Sequence, residues 1–142
     1  SFAAQYSTSA LTMQQSLEAM INGEKKDIPS DALASSIHLL QTAQTQFYQV
    51  LTVQEPKNFK PSAHAFVLVW EAHNIATKPI SQFAKLEAVV GNLLGLTQRM
   101  ATLQSDQPLQ SEELAYLHKF YETLAKIALR ASSVARYERR DD

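Results

Sequence analysis

The chain has 142 residues, 45% of them apolar and 19% charged, with a formal net charge of -1 and a pI near 6.4. That length and balance describe a globular domain large enough to bury its own core, and they exclude a disordered chain and a global field that attracts nucleic acid. The absence of cysteine removes disulfides, thiolate nucleophiles, thiolate zinc sites and iron–sulfur clusters together.

The chain opens on "SFAAQYSTS" without methionine, as expected of a mature form or fragment of a longer precursor. From Ala3 to Ile21, Tyr6, Ala10, Met13, Leu17 and Met20 recur at helical spacing. Asn22-Gly23 is a left-handed stop, followed by the charged turn "EKKDIP". A second helix is predicted with Ser30 as N-cap and Asp31 in its first turn. Its stripe is Leu33, Ile37, Leu40, Phe47 and Leu51, interrupted by Gln44. Pro56 and Pro61 then mark residues 54–61 as a loop.

Residues 62–104 are ambiguous. "AFVLVW" (65–70) is apolar on all sides, but no second strand is available to pair with it, so a helix is expected. One straight helix over 62–104 would be roughly 64 Å long. Pro79 therefore divides the segment at Thr77-Lys78-Pro79 and opens a further helix. The last helix begins at Ser111 as N-cap, with Glu112 and Glu113 at its positive end and Arg136, Arg139 and Arg140 at its negative end. Leu114, Leu117, Tyr121, Leu124, Ala128, Ala131 and Ala135 form its stripe, widened by Phe120, Ile127 and Val134. The expected architecture is all-α: an up-and-down antiparallel bundle of four long helices plus one shorter helix, in a single domain over residues 1–142.

On a helical wheel, residues 79–104 carry an apolar stripe of Leu86, Val89, Leu93, Leu96, Met100 and Leu103, and a second of Phe83, Val90 and Leu94. Ala84, Ala88, Gly91 and Gly95 form a third strip of small residues only. Glycine in a helix interior costs about 1 kcal/mol relative to alanine, so the strip needs an explanation. A neighbouring helix of the same chain packed closely against it is the first expectation. A partner chain or a second copy docked there makes Ala84, Ala88, Gly91 and Gly95 the partner-contact candidates. A cavity for an apolar ligand is the third reading, with Phe66, Trp70 and Glu71 as pocket candidates. Glu71, among apolar neighbours, would pair with the Trp70 indole or act as a carboxylate of raised pKa.

No catalytic residues or metal ligands are assigned, since Glu-x-x-His, His-Glu-x-x-His and the glycine-rich phosphate-binding motifs do not occur. His38 is expected in solvent and His118 to pair with Glu122 at the surface; His64 and Glu71 share a face about 10 Å apart, too far to share a metal ion alone. Met13 and His118 have the placement of noncovalent haem ligands in a bundle, but core filling explains Met13 equally well. The reading taken is a non-enzymatic, cofactor-free interaction module that binds a protein partner or itself; its alternative is a bundle that binds a small apolar ligand or haem. No nucleic-acid contact and no membrane span are expected, and an anchor outside this stretch is compatible with it. In general form, without a shared motif, the polar uncharged surface and lack of cysteine resemble bacterial extracytoplasmic bundle domains, including anchored sensor domains, which implies a periplasmic or cell-surface location.

Overall fold

A computed structural model of the chain describes residues 2–24, 27–52, 65–77, 83–102 and 108–137. Five helices make up the fold: α1 (Phe2–Ile21), α2 (Ser30–Thr52), α3 (Ala65–Ala76), α4 (Phe83–Ala101) and α5 (Ser111–Tyr137). There is no strand among the described residues, and "AFVLVW" is helical. The architecture is the expected all-α bundle of four long helices and one short one, α3. The predicted loop at 54–61, the opening of α4 at Pro79, His64, Leu103, Arg139 and Arg140 lie outside the described residues.

Helical periodicity in α1, α2 and α5 translates directly into burial. Tyr6, Ala10, Met13 and Leu17 of α1 are buried, with Leu40 and Phe47 of α2 and Leu117, Phe120, Tyr121, Leu124 and Ala128 of α5. They join residues of α3 and α4 in one core cluster. Each large side chain taken fully out of water contributes about 1.5–3 kcal/mol. The most extensive helix contact is α1 against α5, the next is α2 against α4, and α3 lies against both α5 and α2. Small buried residues support the α1–α5 approach: Ala3, Ala10 and Ser16 on one helix, Ala125, Ala128 and Ser132 on the other.

The helix ends show where local chemistry is decisive. After α1, Gly23 has φ +79°. Its N–H donates to the Met20 carbonyl at 3.1 Å, and the Glu24 N–H donates to Ala19 at 2.9 Å. These are the two bonds of a Schellman motif, which satisfies carbonyls the helix would otherwise leave open.

Both serines expected as N-caps sit one residue inside their helices. The Pro29 carbonyl accepts the Leu33 N–H at 3.2 Å, and the Gln110 carbonyl accepts the Leu114 N–H at 2.9 Å. The cap positions are therefore Pro29 and Gln110, and Ser30 and Ser111 are first helical residues. At α5 the reason is visible: Glu113, three residues after the cap, reaches back to accept the Gln110 N–H at 2.9 Å. The start of α3 is capped from another helix. Gln46 of α2 accepts the Phe66 N–H through Oε1 at 2.6 Å, satisfying a first-turn donor.

Gly23→Ala is expected to destabilise the protein by about 1 kcal/mol, because an L-residue in the left-handed region carries a penalty of that order. Chemical denaturation measures it, and open space around the Gly23 Cβ position leaves the backbone angle as the only source of cost.

Candidate functional site

α4 is the helix on which the sequence concentrates its unexplained features. Its buried face carries Val90, Leu93, Leu94, Leu96 and Thr97, while Ala88, Asn92 and Gln98 are exposed. Thr97 is fully buried, and burying an unsatisfied hydroxyl is costly. Its hydroxyl donates to the Leu93 carbonyl at 2.9 Å and its oxygen lies 2.8 Å from the Tyr121 hydroxyl of α5. With the Thr97 proton committed to Leu93, Tyr121 is the donor in the second bond. Ser36 of α2, 2% exposed, hydrogen-bonds the same phenol and must donate to it, since the phenol's own proton is spent. The result is a directed chain, Ser36 to Tyr121 to Thr97 to the Leu93 carbonyl, through three helices. Burial pushes the Tyr121 phenol up to about 12, so it keeps its proton.

Few backbone approaches hold α4 to α5, so polar links matter there. The second such link is ionic. Arg99 Nη1 meets Glu113 Oε2 at 3.1 Å, and Arg99 Nη2 donates to the Pro108 carbonyl at 3.3 Å. The Gln110 N–H holds the Glu113 carboxyl below its usual pKa, partial burial opposes this, and Arg99 adds to the lowering. One glutamate thus closes the start of α5 and binds the end of α4.

These contacts fix the direction of α4. Tyr121 gathers Ser36 and Thr97, and an alanine-type Cβ at Gly91 would stand 3.4 Å from Gln44 Nε2. Higher numbers on α4 therefore meet lower numbers on α2, and the two helices are antiparallel. The small-residue strip lies along this seam. Gly91 meets the side chain of Gln44, so the polar interruption of the α2 stripe is what faces it. Among the described residues nothing lies within 4 Å of the Cβ position at Gly95, and Ala88 is exposed. Close packing on a neighbouring helix accordingly explains Gly91 and leaves Gly95 and Ala88 without an internal reason. Ala84 is in the first turn of α4, and its side chain lies outside the described part. Tyr48, one turn beyond Gln44 on the same face of α2, is 57% exposed. By the antiparallel register it stands level with Glu87 and Ala88.

The residues singled out on α3 separate. Phe66 is buried, its ring centroid 4.2 Å from that of Phe47 and 6.5 Å from that of Trp70. Trp70 is half-buried at the margin of the core. Glu71 is exposed, away from the apolar surroundings expected for it. Met13 is fully buried in the common core. His38 is exposed as expected. His118 is not a surface partner of Glu122: Glu122 pairs with Lys119 at 3.4 Å and Lys126 at 3.9 Å, while His118 Nε2 is buried without a hydrogen-bond partner among the described residues. No group of three or more metal-ligating side chains occurs among the described residues, and no described helix is long and apolar enough to cross a membrane.

Sequence reasoning missed Ser36, Thr97, Gln46 and His73. The first three look like ordinary polar surface positions. His73 is 5% exposed and sits edge-on to Tyr116 with ring centroids 6.2 Å apart. Comparison with known protein families, with curated proteins and with solved structures finds no match to this chain.

Tyr121→Phe deletes the shared hydroxyl, taking the acceptor from buried Ser36 and leaving Thr97 with the Leu93 carbonyl alone. It is expected to cost about 1–3 kcal/mol. Denaturant titration of this variant, Thr97→Val and the double variant should show the two losses to be strongly non-additive.

Proposed function

We propose that this chain is a non-enzymatic helical-bundle module that binds a protein partner, in the simplest case a second copy of itself, along the edge shared by α2 and α4. The observation that carries the reading is the open space over Gly95, beside exposed Ala88 and half-buried Gly91, on a helix already anchored by its opposite face. Two glycines in one helix interior weaken that helix by about 2 kcal/mol in total. An internal neighbour accounts for only one of them. A surface that lets another backbone approach accounts for the other, and exposed Tyr48 beside it supplies the aromatic anchor such contacts favour.

Charge is compatible with self-association, because a net charge of -1 sets little repulsion between copies. The uncharged polar surface supports the further proposal of an extracytoplasmic setting, in the manner of anchored or sensor bundle domains.

Two substitutions at Gly95 test the contact. Gly95→Ala places a methyl group in open space and should raise monomer stability by about 0.5–1 kcal/mol through helix propensity alone. Gly95→Leu should leave the fold intact and abolish association. Sedimentation equilibrium across a concentration series reads the difference. A wild-type chain that is strictly monomeric, or one whose association survives Gly95→Leu, contradicts self-association through this edge.

A further inference from the structure

α3 is the shortest helix and the one attached at its two ends by different chemistry. At its N-terminal end, Gln46 of α2 accepts the Phe66 N–H and Phe47 packs on the Phe66 ring. At its C-terminal end the attachment is His73, lying edge-on to Tyr116 of α5. Between them Phe66, Leu68, Val69 and Ala72 complete the core.

The surroundings of His73 suit a neutral ring and not a charged one. Thr77 Oγ1 lies 3.2 Å from Nδ1 and 3.4 Å from Nε2, so one oxygen is the polar contact of both ring nitrogens. The Thr77 hydroxyl donates its proton to the His73 carbonyl at 2.8 Å, leaving its oxygen as an acceptor. A neutral imidazole has one N–H to offer that oxygen. An imidazolium has two, in a site that is 5% exposed.

Among the described residues no facing anion compensates. From α5 the facing group is Tyr116, whose phenol burial pushes up to about 12 and so keeps uncharged. Glu112, one turn earlier, is exposed; Glu113 is engaged by Gln110 and Arg99; and Lys119 is exposed and paired with Glu122. His118, also on α5, is half-buried. From α2, Asp31, His38 and Tyr48 are all exposed, as is Glu71 of α3 itself.

We propose that α3 is an acid-released latch: protonation of His73 frees its C-terminal half from α5 and uncovers the apolar face between α2 and α5, while α1 stays packed on α5. Opening starts at the His73 end because the Phe66 end is held by an uncharged cap and an aromatic contact. Burial lowers the His73 pKa from 6.5, so the opened state takes up the proton first. The docked state is therefore fully favoured above the ordinary histidine pKa. It weakens as pH falls through that value and loses nothing more once pH is below the folded-state pKa.

Amide hydrogen exchange followed by NMR at pH 7.5 and 5.5, corrected for intrinsic exchange, tests the latch. The opening constant for residues 69–76 should rise by roughly tenfold for each unit by which the His73 pKa is lowered within that interval, with α1 amides unchanged. His73→Gln, which stays neutral, should remove the pH response. Overturning results are a pH-independent α3, an equal rise in α1, or a response retained in His73→Gln. Should that variant not fold, the wild-type imidazole titration decides: His73 titrating below exposed His38 supports the latch, and His73 titrating with or above His38 overturns it.

Discussion

The fold depends on a single phenol placed where three helices meet. α4 has little direct backbone contact with α5, so its seating on that side rests on side-chain contacts. Tyr121 supplies one by donating to Thr97 of α4 while receiving Ser36 of α2. Apolar burial is non-directional, and a leucine at position 97 would pack in many registers. A donor–acceptor chain admits few, because a shift of α4 by one turn would carry Thr97 away and leave the buried Tyr121 proton without its acceptor. Arg99 and Glu113 reinforce the same register from the surface, at the point where α4 ends and α5 begins.

Fixing α4 by one face determines what its other face can do. Val90, Leu93, Leu94 and Thr97 point into the core, which turns Gly95 and Ala88 outward along the seam with α2. The two glycines therefore serve different ends: Gly91 makes room beside Gln44, whereas Gly95 faces open space. Among the described residues, histidines and carboxylates form no group of three or more that could hold a metal ion. In the readings proposed above, the α2–α4 edge is where another backbone approaches, and α3 is the element whose seating responds to pH. They are carried by different observations, the open space over Gly95 beside exposed Ala88 in one case and a buried imidazole in the other.

How legible this was follows from the range of each interaction. Period and punctuation exposed what is local: the stripes of α1, α2 and α5, the left-handed stop at Gly23, and the end of α3 at Ala76. Contacts from outside the local window were not legible. Gln46 caps a helix that begins 19 residues later, and Thr97 and Ser36 have no apolar signature, yet are buried because Tyr121 satisfies them. Ser30 and Ser111 have the right chemistry for caps, but backbone bonds one residue earlier and the reach of Glu113 displaced them. Glu71 belongs to a run that is apolar on the wheel, and its orientation was set by α3 docking between α2 and α5, which no pattern within residues 65–76 encodes.

The central claim, that the Tyr121 hydroxyl donates its proton to Thr97 while accepting from Ser36, can be observed directly. A buried and fully committed hydroxyl exchanges slowly enough with water to give its own proton resonance. NMR at low temperature should show this resonance with cross-peaks to the Thr97 methyl group and the Ser36 β protons. A Tyr121 hydroxyl that exchanges too fast to be seen, on a ring that titrates near the ordinary value of about 10, would contradict the account.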